Sequence, residues 1–359
     1  MKVICLIDGF TLGGAERQLI GLGSLLKGKG YDVDLGCYYK ENFYKQLIEG
    51  LGLNCITLEV NNSPVSKLLA CRRLIKKGNY DWVVCYKSGP NIISCLLKVF
   101  GMKFHLIVSE RNTTQHIGFN ERLQFQLYRM ADYVVPNSNS QALFIKEHFS
   151  WLRKKTIPIT NFTDTSHFSA KYVTDGVTIK FLTTARVAKQ KNIIRYLEAI
   201  GELRKRGIAD VHFDWYGDVQ SGQEEYGESV LKKRKELGLE DCVEFHPATS
   251  SILEKYQQCD IFCLPSNYEG FPNVVCEAMS CGKPIVCSRV CDNPYIVKEG
   301  ENALMFDNTS VKDITDKLEQ ICSMSKEELC KWGHRSREIA EEILSMDAFV
   351  NKYIKLIEQ

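Results

Sequence analysis

The chain has no run that approaches the ~18 consecutive apolar residues of a membrane-spanning helix, so it does not read as an integral membrane protein. It also lacks a dominant charge. Its 46 Lys and Arg against 44 Asp and Glu leave a net +2, without the basic excess that marks nucleic-acid binders. The start, Met1 to Asp8, turns acidic too soon for a signal peptide, so a cytoplasmic protein is expected. There are 15 cysteines but no C-x-x-C pair; a spacing close to it, Cys259 to Cys263, reads as a helix end and a strand. The odd number leaves one thiol unpaired under any pairing. Cys5, Cys85, Cys263 and Cys287 stand in apolar runs where a thiol behaves as a small hydrophobe. A reduced chain without structural zinc is therefore expected. The dinucleotide fingerprint G-x-G-x-x-G is missing too: the first loop spaces its glycines as Gly9, Gly13 and Gly14.

What is present describes an α/β protein. At 359 residues, 44% hydrophobic and 25% charged, the chain has the length for about two domains and an ordinary globular composition. Buried strands are expected at Val3–Ile7, Tyr31–Cys37, Asn54–Val60, Trp82–Tyr86 and Phe104–Val108, with helical segments between them. Further strands are read after Ala131 and at Ile157–Thr160, then from Ile179, Val211, Cys242, Ile261 and Pro284. The Asp32-x-Asp34 pair is explained by alternation on a strand, and no metal is assigned there. The glycine loop after the first strand allows close approach of a ligand at that strand's end, although a plain turn explains it equally well.

The stretch from Ser266 to Gly282 carries the strongest chemical pattern. A strand ends at Leu264, a short helix is expected from Pro272 to Cys281, and another strand begins near Pro284. Pro272 suits the first helical position and Gly282 the position past the end. Glu269 then lies before the helix and Glu277 within it, with the N–H groups of the first turn between them as an anion site. Carboxylate, anion site and carboxylate would match a nucleotide-sugar, which has hydroxyls at both ends and a diphosphate in the middle. Earlier in the same half, an apolar strand delivers Arg186 to a loop and Lys191 comes just before a helix. Two cations there would neutralise a diphosphate.

Glu269 to Glu277, followed by Gly282-Lys283-Pro284, resembles the E-x7-E motif of retaining glycosyltransferases, and specifically of glycosyltransferase family 4. Gly13-Gly14-Ala15-Glu16, the Arg186-x4-Lys191 pair, the Ser109–Asn112 loop and the Asn137-Ser138 strand end resemble the same family, so the likeness spans nearly the whole chain. The resemblance implies the GT-B fold, two Rossmann-like α/β domains facing across a cleft. The acceptor domain would cover 1–165 and the donor domain 175–335, with 340–359 returning to the first. It implies a metal-independent hexosyltransferase without cofactor, taking a nucleoside diphosphate-sugar, a UDP-sugar before others. Catalysis falls to Glu269, Arg186 and Lys191. Donor binding falls to these with Gly13, Gly14, Gly217, His246, Gly270, Phe271, Pro272, Asn273, Val274 and Glu277. Glu110, Arg111 and Asn112 would face the acceptor. That acceptor is expected to be a lipid-linked glycan in surface polysaccharide assembly.

The basic helix Lys67–Lys77 and the segment Trp151–Lys155 would touch an anionic membrane surface, placing the protein peripherally on its inner face. The alternative for both is a solvated helix face. Two other functions share these features: a sugar-nucleotide epimerase on the same fold, and a non-catalytic nucleotide-sugar binding protein.

Overall fold

A computed structural model describes all residues except Leu12, Glu41, Asn62, Gln115 and 173–175. The chain forms two compact units, 1–162 with 346–359, and 163–345. The expected boundaries shift accordingly. The first unit ends at Phe162, and the second runs on to Ser345. The expected start of the donor domain, residue 175, lies outside the described residues.

In unit 1 the strands are β1 (Lys2–Ile7), β2 (Asp32–Cys37), β3 (Asn54–Thr57), β4 (Trp82–Tyr86), β5 (His105–Ser109) and β6 (Tyr133–Val134). The helices are α1 (Gly14–Gly28), α2 (Lys45–Gly50), α3 (Pro64–Gly78), α4 (Ser88–Val99), α5 (Phe119–Leu127) and α6 (Asn139–His148). Unit 2 has β7 (Ile179–Thr184), β8 (Val211–Tyr216), β9 (Val243–His246), β10 (Ile261–Leu264), β11 (Ile285–Ser288) and β12 (Ala303–Phe306). Its helices are α7 (Ile193–Lys205), α8 (Glu224–Glu236), α9 (Ile252–Gln258), α10 (Asn273–Ser280), α11 (Asn293–Ile296), α12 (Val311–Cys322) and α13 (Lys326–Ile343). The last helix, α14 (Met346–Ile357), packs on unit 1. Its Phe349, Val350 and Tyr353 join the core under β1 and α1, and the Tyr353 hydroxyl lies 3.0 Å from that of Tyr86.

Each unit is a six-stranded sheet whose paired strands run parallel, ordered β3-β2-β1-β4-β5-β6 in one and β12-β11-β10-β7-β8-β9 in the other. Counted within its own unit, each sheet has the same Rossmann order. Such strands need helical crossovers, and the helices bury both faces of the central strands. That is why β1, β4 and β10 read as unbroken apolar runs. Strand order reverses between β1 and β4, and again between β10 and β7. These are the points where crossovers diverge and leave a crevice at the strands' carboxyl ends.

The expected strand at Ile157–Thr160 does not form. Only Thr156 bridges to Val134, with Ile157 and Ile159 donating to the carbonyls of Val134 and Pro136. Pro136 and Pro158 lack the N–H groups that a ladder needs.

Candidate active site

The crevice of unit 2 gathers the residues singled out in its sequence. After β7 the chain forms a loop carrying Arg186, Lys191 and Asn192; after β10 another carries Asn267 to Pro272. The two loops are stitched together. Asn267 donates from its backbone to the Gln190 carbonyl at 2.8 Å and from its amide to that of Lys189 at 3.0 Å. Gln190 returns a bond to the Tyr268 carbonyl at 2.8 Å. The stitching sets Lys191 Nζ 2.6 Å from Glu269 Oε1, although the residues are 78 positions apart. Both side chains are largely buried, at 11% and 9% exposure. A buried pair of this kind is held by geometry, and removing one partner strands the other's charge.

Arg186, on the same loop as Lys191, has an exposed side chain that, among the described residues, no hydrogen bond or ion pair ties down. Its position depends on Gly217. A Cβ on Gly217 would stand 2.1 Å from the Ala185 carbonyl oxygen, so only glycine lets the turn after β8 pass there. Trp215 Nε1 donates to the same carbonyl at 2.7 Å and fixes the strand end.

Helix α10 begins one residue later than expected. Pro272, with ψ at 72°, precedes the helix as its cap instead of opening it. Its carbonyl accepts from Val275 and Cys276, while Asn273 N–H turns back on Phe271. Of the first-turn donors, the N–H of Val274 is the one these turns leave over. Gly282, at φ +72°, ends the segment as expected. Val275, Cys276, Ala278 and Met279 pack into the core, which carries Glu277 inside at 6% exposure. One Glu277 oxygen accepts from the Tyr256 hydroxyl at 2.9 Å, and that hydroxyl lies 2.8 Å from Thr184 Oγ1. Tyr256 was not foreseen, since nothing local distinguishes a tyrosine on α9.

Lys283, of the same motif, is wholly buried. Its ammonium donates to the carbonyls of Lys171 and Cys259, at 2.5 and 2.7 Å. Burial holds its pKa below the usual lysine value. It braces the end of α10 from inside. His246 turns its imidazole onto Asp214, 2.6 Å away, and stacks on Tyr216.

The crevice of unit 1 holds a group that the sequence pattern did not single out. Glu16, 3% exposed in the first turn of α1, accepts from Lys87 Nζ at 2.7 Å and from Thr11 Oγ1 at 3.0 Å. A Cβ on Gly13 would lie 2.4 Å from a Glu16 oxygen, so the glycine makes room for the carboxylate. Gly14 opens α1, and Leu12 of this loop lies outside the described residues. Lys87 sits at the end of β4 with φ +72°, a strained conformation for a non-glycine residue. Asp8, at the end of β1, has a buried oxygen without a hydrogen-bond partner. Desolvation raises its pKa, against the pull of Lys87. A charged residue at a strand's carboxyl end was the available signal for Lys87. Of the four non-glycine residues with positive φ among those described, three (Lys87, Asn192 and Cys291) lie in or against these crevices; Cys291 Sγ accepts from the Glu269 N–H at 3.3 Å.

The expected acceptor loop is a different matter. Glu110 is buried, accepting from Tyr128, from Gln124 at 3.0 Å and from Asn91 at 3.4 Å. Desolvation raises its pKa even so, although all three donors pull it down. Arg111 stacks on Tyr86 with its guanidinium 4.0 Å from the ring centre and donates to Asn161 at 2.5 Å. These two residues anchor the loop internally, and only Asn112 of the three is exposed. On α3, Arg72, Arg73, Lys76 and Lys77 are exposed. In the Trp151–Lys155 segment, by contrast, Lys155 is engaged by the carbonyls of Arg129 and Ala131. No helix among the described residues is long and apolar enough to cross a membrane.

Residues 164–339 match the family described as glycosyl transferases group 1. The chain is 24% identical over 340 residues to an uncharacterized glycosyltransferase of Haemophilus influenzae, covering 92% of this chain and 93% of that one. It is 26% identical over 293 residues to the GalNAc-alpha-(1->4)-GalNAc-alpha-(1->3)-diNAcBac-PP-undecaprenol alpha-1,4-N-acetyl-D-galactosaminyltransferase of Campylobacter jejuni, covering 78% and 77%. In fold it is similar to the crystal structure of Anabaena HepE in complex with UDP and glucose, with a TM-score of 0.86 over 100% of this chain and 99% of that one, at 17% identity.

Proposed function

Because the chain is a glycosyltransferase of the group 1 type with a GT-B fold, we propose that it moves a hexosyl unit from a nucleoside diphosphate-sugar to a hydroxyl of a lipid-linked glycan. In this reading the donor is a UDP-sugar, the anomeric configuration is retained, and no metal takes part in the transfer. The observation that carries it is the buried Lys191–Glu269 pair at the switch point of unit 2, on a loop that also carries the exposed Arg186. The UDP of the Anabaena structure supports the uridine nucleotide. The undecaprenol diphosphate acceptor in the Campylobacter relative's name supports a lipid-linked acceptor.

Each residue then has one task. The donor diphosphate takes the Lys191 ammonium from Glu269, with Arg186 adding its forked donors and the Val274 N–H pointing to the same charge. Glu269, released, accepts from hydroxyls of the transferred sugar. Glu277, oriented by Tyr256, holds the ribose. As the glycosidic bond breaks, negative charge grows on the leaving diphosphate, and these fixed donors lower the barrier by meeting it there. The departing phosphate oxygen takes the acceptor's proton while the acceptor oxygen attacks from the same face. In unit 1, Asp8, Glu16 and Lys87 receive the acceptor.

The test is turnover of a panel of nucleotide-sugars with excess chelator, with and without a lipid-linked glycan in anionic vesicles, at low and high salt. Expected is transfer only when acceptor is present, retained configuration by NMR, and protein sedimenting with the vesicles at low salt through Arg72, Arg73, Lys76 and Lys77. Each cation near such a surface adds about 1 kcal/mol. Epimerised sugar in the acceptor-free sample would make the protein an isomerase, and donor binding without turnover would make it a binding protein. Activity restored only by magnesium or manganese would remove the metal-free reading, and protein left in the supernatant would favour a soluble acceptor.

A further inference from the structure

On the edge of the unit 2 sheet, on the face turned away from the α7 core, the two last strands carry a second constellation. Along β8, Val211, Phe213 and Trp215 pack into the core with residues of α7. Alternation turns His212 and Asp214 to the opposite face. On β9, Val243 and Phe245 join the same core, which sends Glu244 and His246 the other way. The register pairs Asp214 with Glu244, so the four polar side chains meet across the strands. His212 Nε2 lies 3.5 Å from Asp214 Oδ1 and 3.8 Å from Glu244 Oε1. His246 Nε2 lies 2.6 Å from Asp214 Oδ1 and 3.6 Å from Glu244 Oε2. One donor atom each from His212, Asp214 and Glu244 fall within 4.8 Å of one another.

We propose that His212, Asp214, Glu244 and His246 bind one divalent transition-metal ion of the zinc class, clamping edge strand β9 to β8. Zinc bonds to nitrogen and oxygen of about 2.0–2.1 Å put tetrahedral ligand atoms about 3.3–3.4 Å apart. Of the four histidine–carboxylate separations, three need to close only by tenths of an ångström, and the His246–Asp214 hydrogen bond has to open by about 0.7 Å to reach that spacing; His246 stands outside the compact group of His212, Asp214 and Glu244, so its imidazole has to move furthest. Two carboxylates balance the dication, and two imidazoles select zinc, cobalt or nickel over magnesium and calcium. A pocket of about 410 Å³ adjoins His212 and Asp214 and gives an ion its way in. Lys180 and Lys255 line that pocket, so charge alone does not gather cations there and binding has to come from coordination. The four residues are partly exposed, which leaves the imidazoles open to exchange with solvent metal. The proposal does not rest on the function proposed above, and it gives His246, expected on the donor side, a different role.

The experiment is a cobalt(II) titration of the full reduced chain, monitored by visible and near-ultraviolet absorption, with circular dichroism to verify folding. The chain's thiols also take cobalt, but thiolate ligation announces itself by an intense near-ultraviolet charge-transfer band that nitrogen and oxygen ligands lack. Expected is one equivalent bound without that band in the wild-type chain, missing from the His212→Ala/His246→Ala variant. Glu244→Gln, at a half-exposed position that tolerates change, should weaken binding at least roughly tenfold, no less than loss of an outer-shell partner does. Equal uptake by the wild type and the variants, or uptake seen only with the thiolate band, would overturn the proposal.

Discussion

The two units build the same crevice with opposite signs. In unit 1 the first strand is followed by the carboxylate, Glu16, and the fourth by the cation, Lys87. In unit 2 the first strand is followed by the cation, Lys191, and the fourth by the carboxylate, Glu269. Each pair closes across the point where strand order reverses, at 2.7 and 2.6 Å. What differs is the surplus. Unit 1 adds a carboxylate, Asp8, beside its pair; unit 2 adds the exposed Arg186, with Glu277 buried on α10 behind it. In the proposed reading, a shared topology supplies the place and the added groups distinguish the ligands. Hydroxyls suit the carboxylates of unit 1, and a diphosphate suits the cations of unit 2.

Breaking the positive side should have the largest effect. Lys191→Ala is expected to lower kcat/KM roughly 10²–10³-fold, as loss of one donor to a developing charge does. Because the change also strands Glu269, the Lys191→Ala/Glu269→Gln pair separates chemistry from folding, with thermal midpoints recorded for both. Activity within threefold of the wild type in a folded Lys191→Ala protein would dissolve the contrast between the units.

A smaller and selective effect is expected on the negative side. Glu16→Gln should raise the acceptor's KM roughly tenfold, the scale of one hydrogen bond to a charged group. Donor affinity measured by calorimetry should stay unchanged. If the donor's affinity falls and the acceptor's KM does not, the assignment of the units is reversed.

The smallest effect belongs to Glu110, in unit 1 but outside its crevice. Burial raises its pKa, so the folded chain holds this proton more tightly than the unfolded chain does. Its contribution to stability therefore falls as pH rises from the ordinary glutamate range through the raised folded value, and is level above that. Glu110→Gln keeps an acceptor for Tyr128 and should flatten this slope, leaving the folded protein at least as stable near neutrality. Denaturant midpoints across pH measure it. Lost turnover with an unchanged slope would return Glu110 to the acceptor side.

The internal bonding of Glu110 and the omission of Lys87 have one cause. Both residues stand at carboxyl ends of neighbouring strands, where polar side chains often meet ligands. Whether a given one does depends on what packs beside it. Glu110 meets Asn91 of α4, Gln124 of α5 and Tyr128 in the turn just after α5, which satisfy it internally. Lys87 meets Glu16 and the unsatisfied Asp8 in the open crevice.

The sequence by itself determined the features that near neighbours along the chain decide between them. Unbroken apolar runs made the central strands, periodic ones the helices, and glycine the loop before α1 and the stop after α10. It also placed Glu277 inside α10 and Arg186 at a strand end, since one element fixes each. The tertiary structure alone decided the partnerships. Lys191 with Glu269, Lys87 with Glu16, and the four ligand candidates of β8 and β9 are joined by strand order and register, which set distant segments side by side. Alternation tells a side chain which face to take; only the neighbouring strand tells it which charge it will meet there.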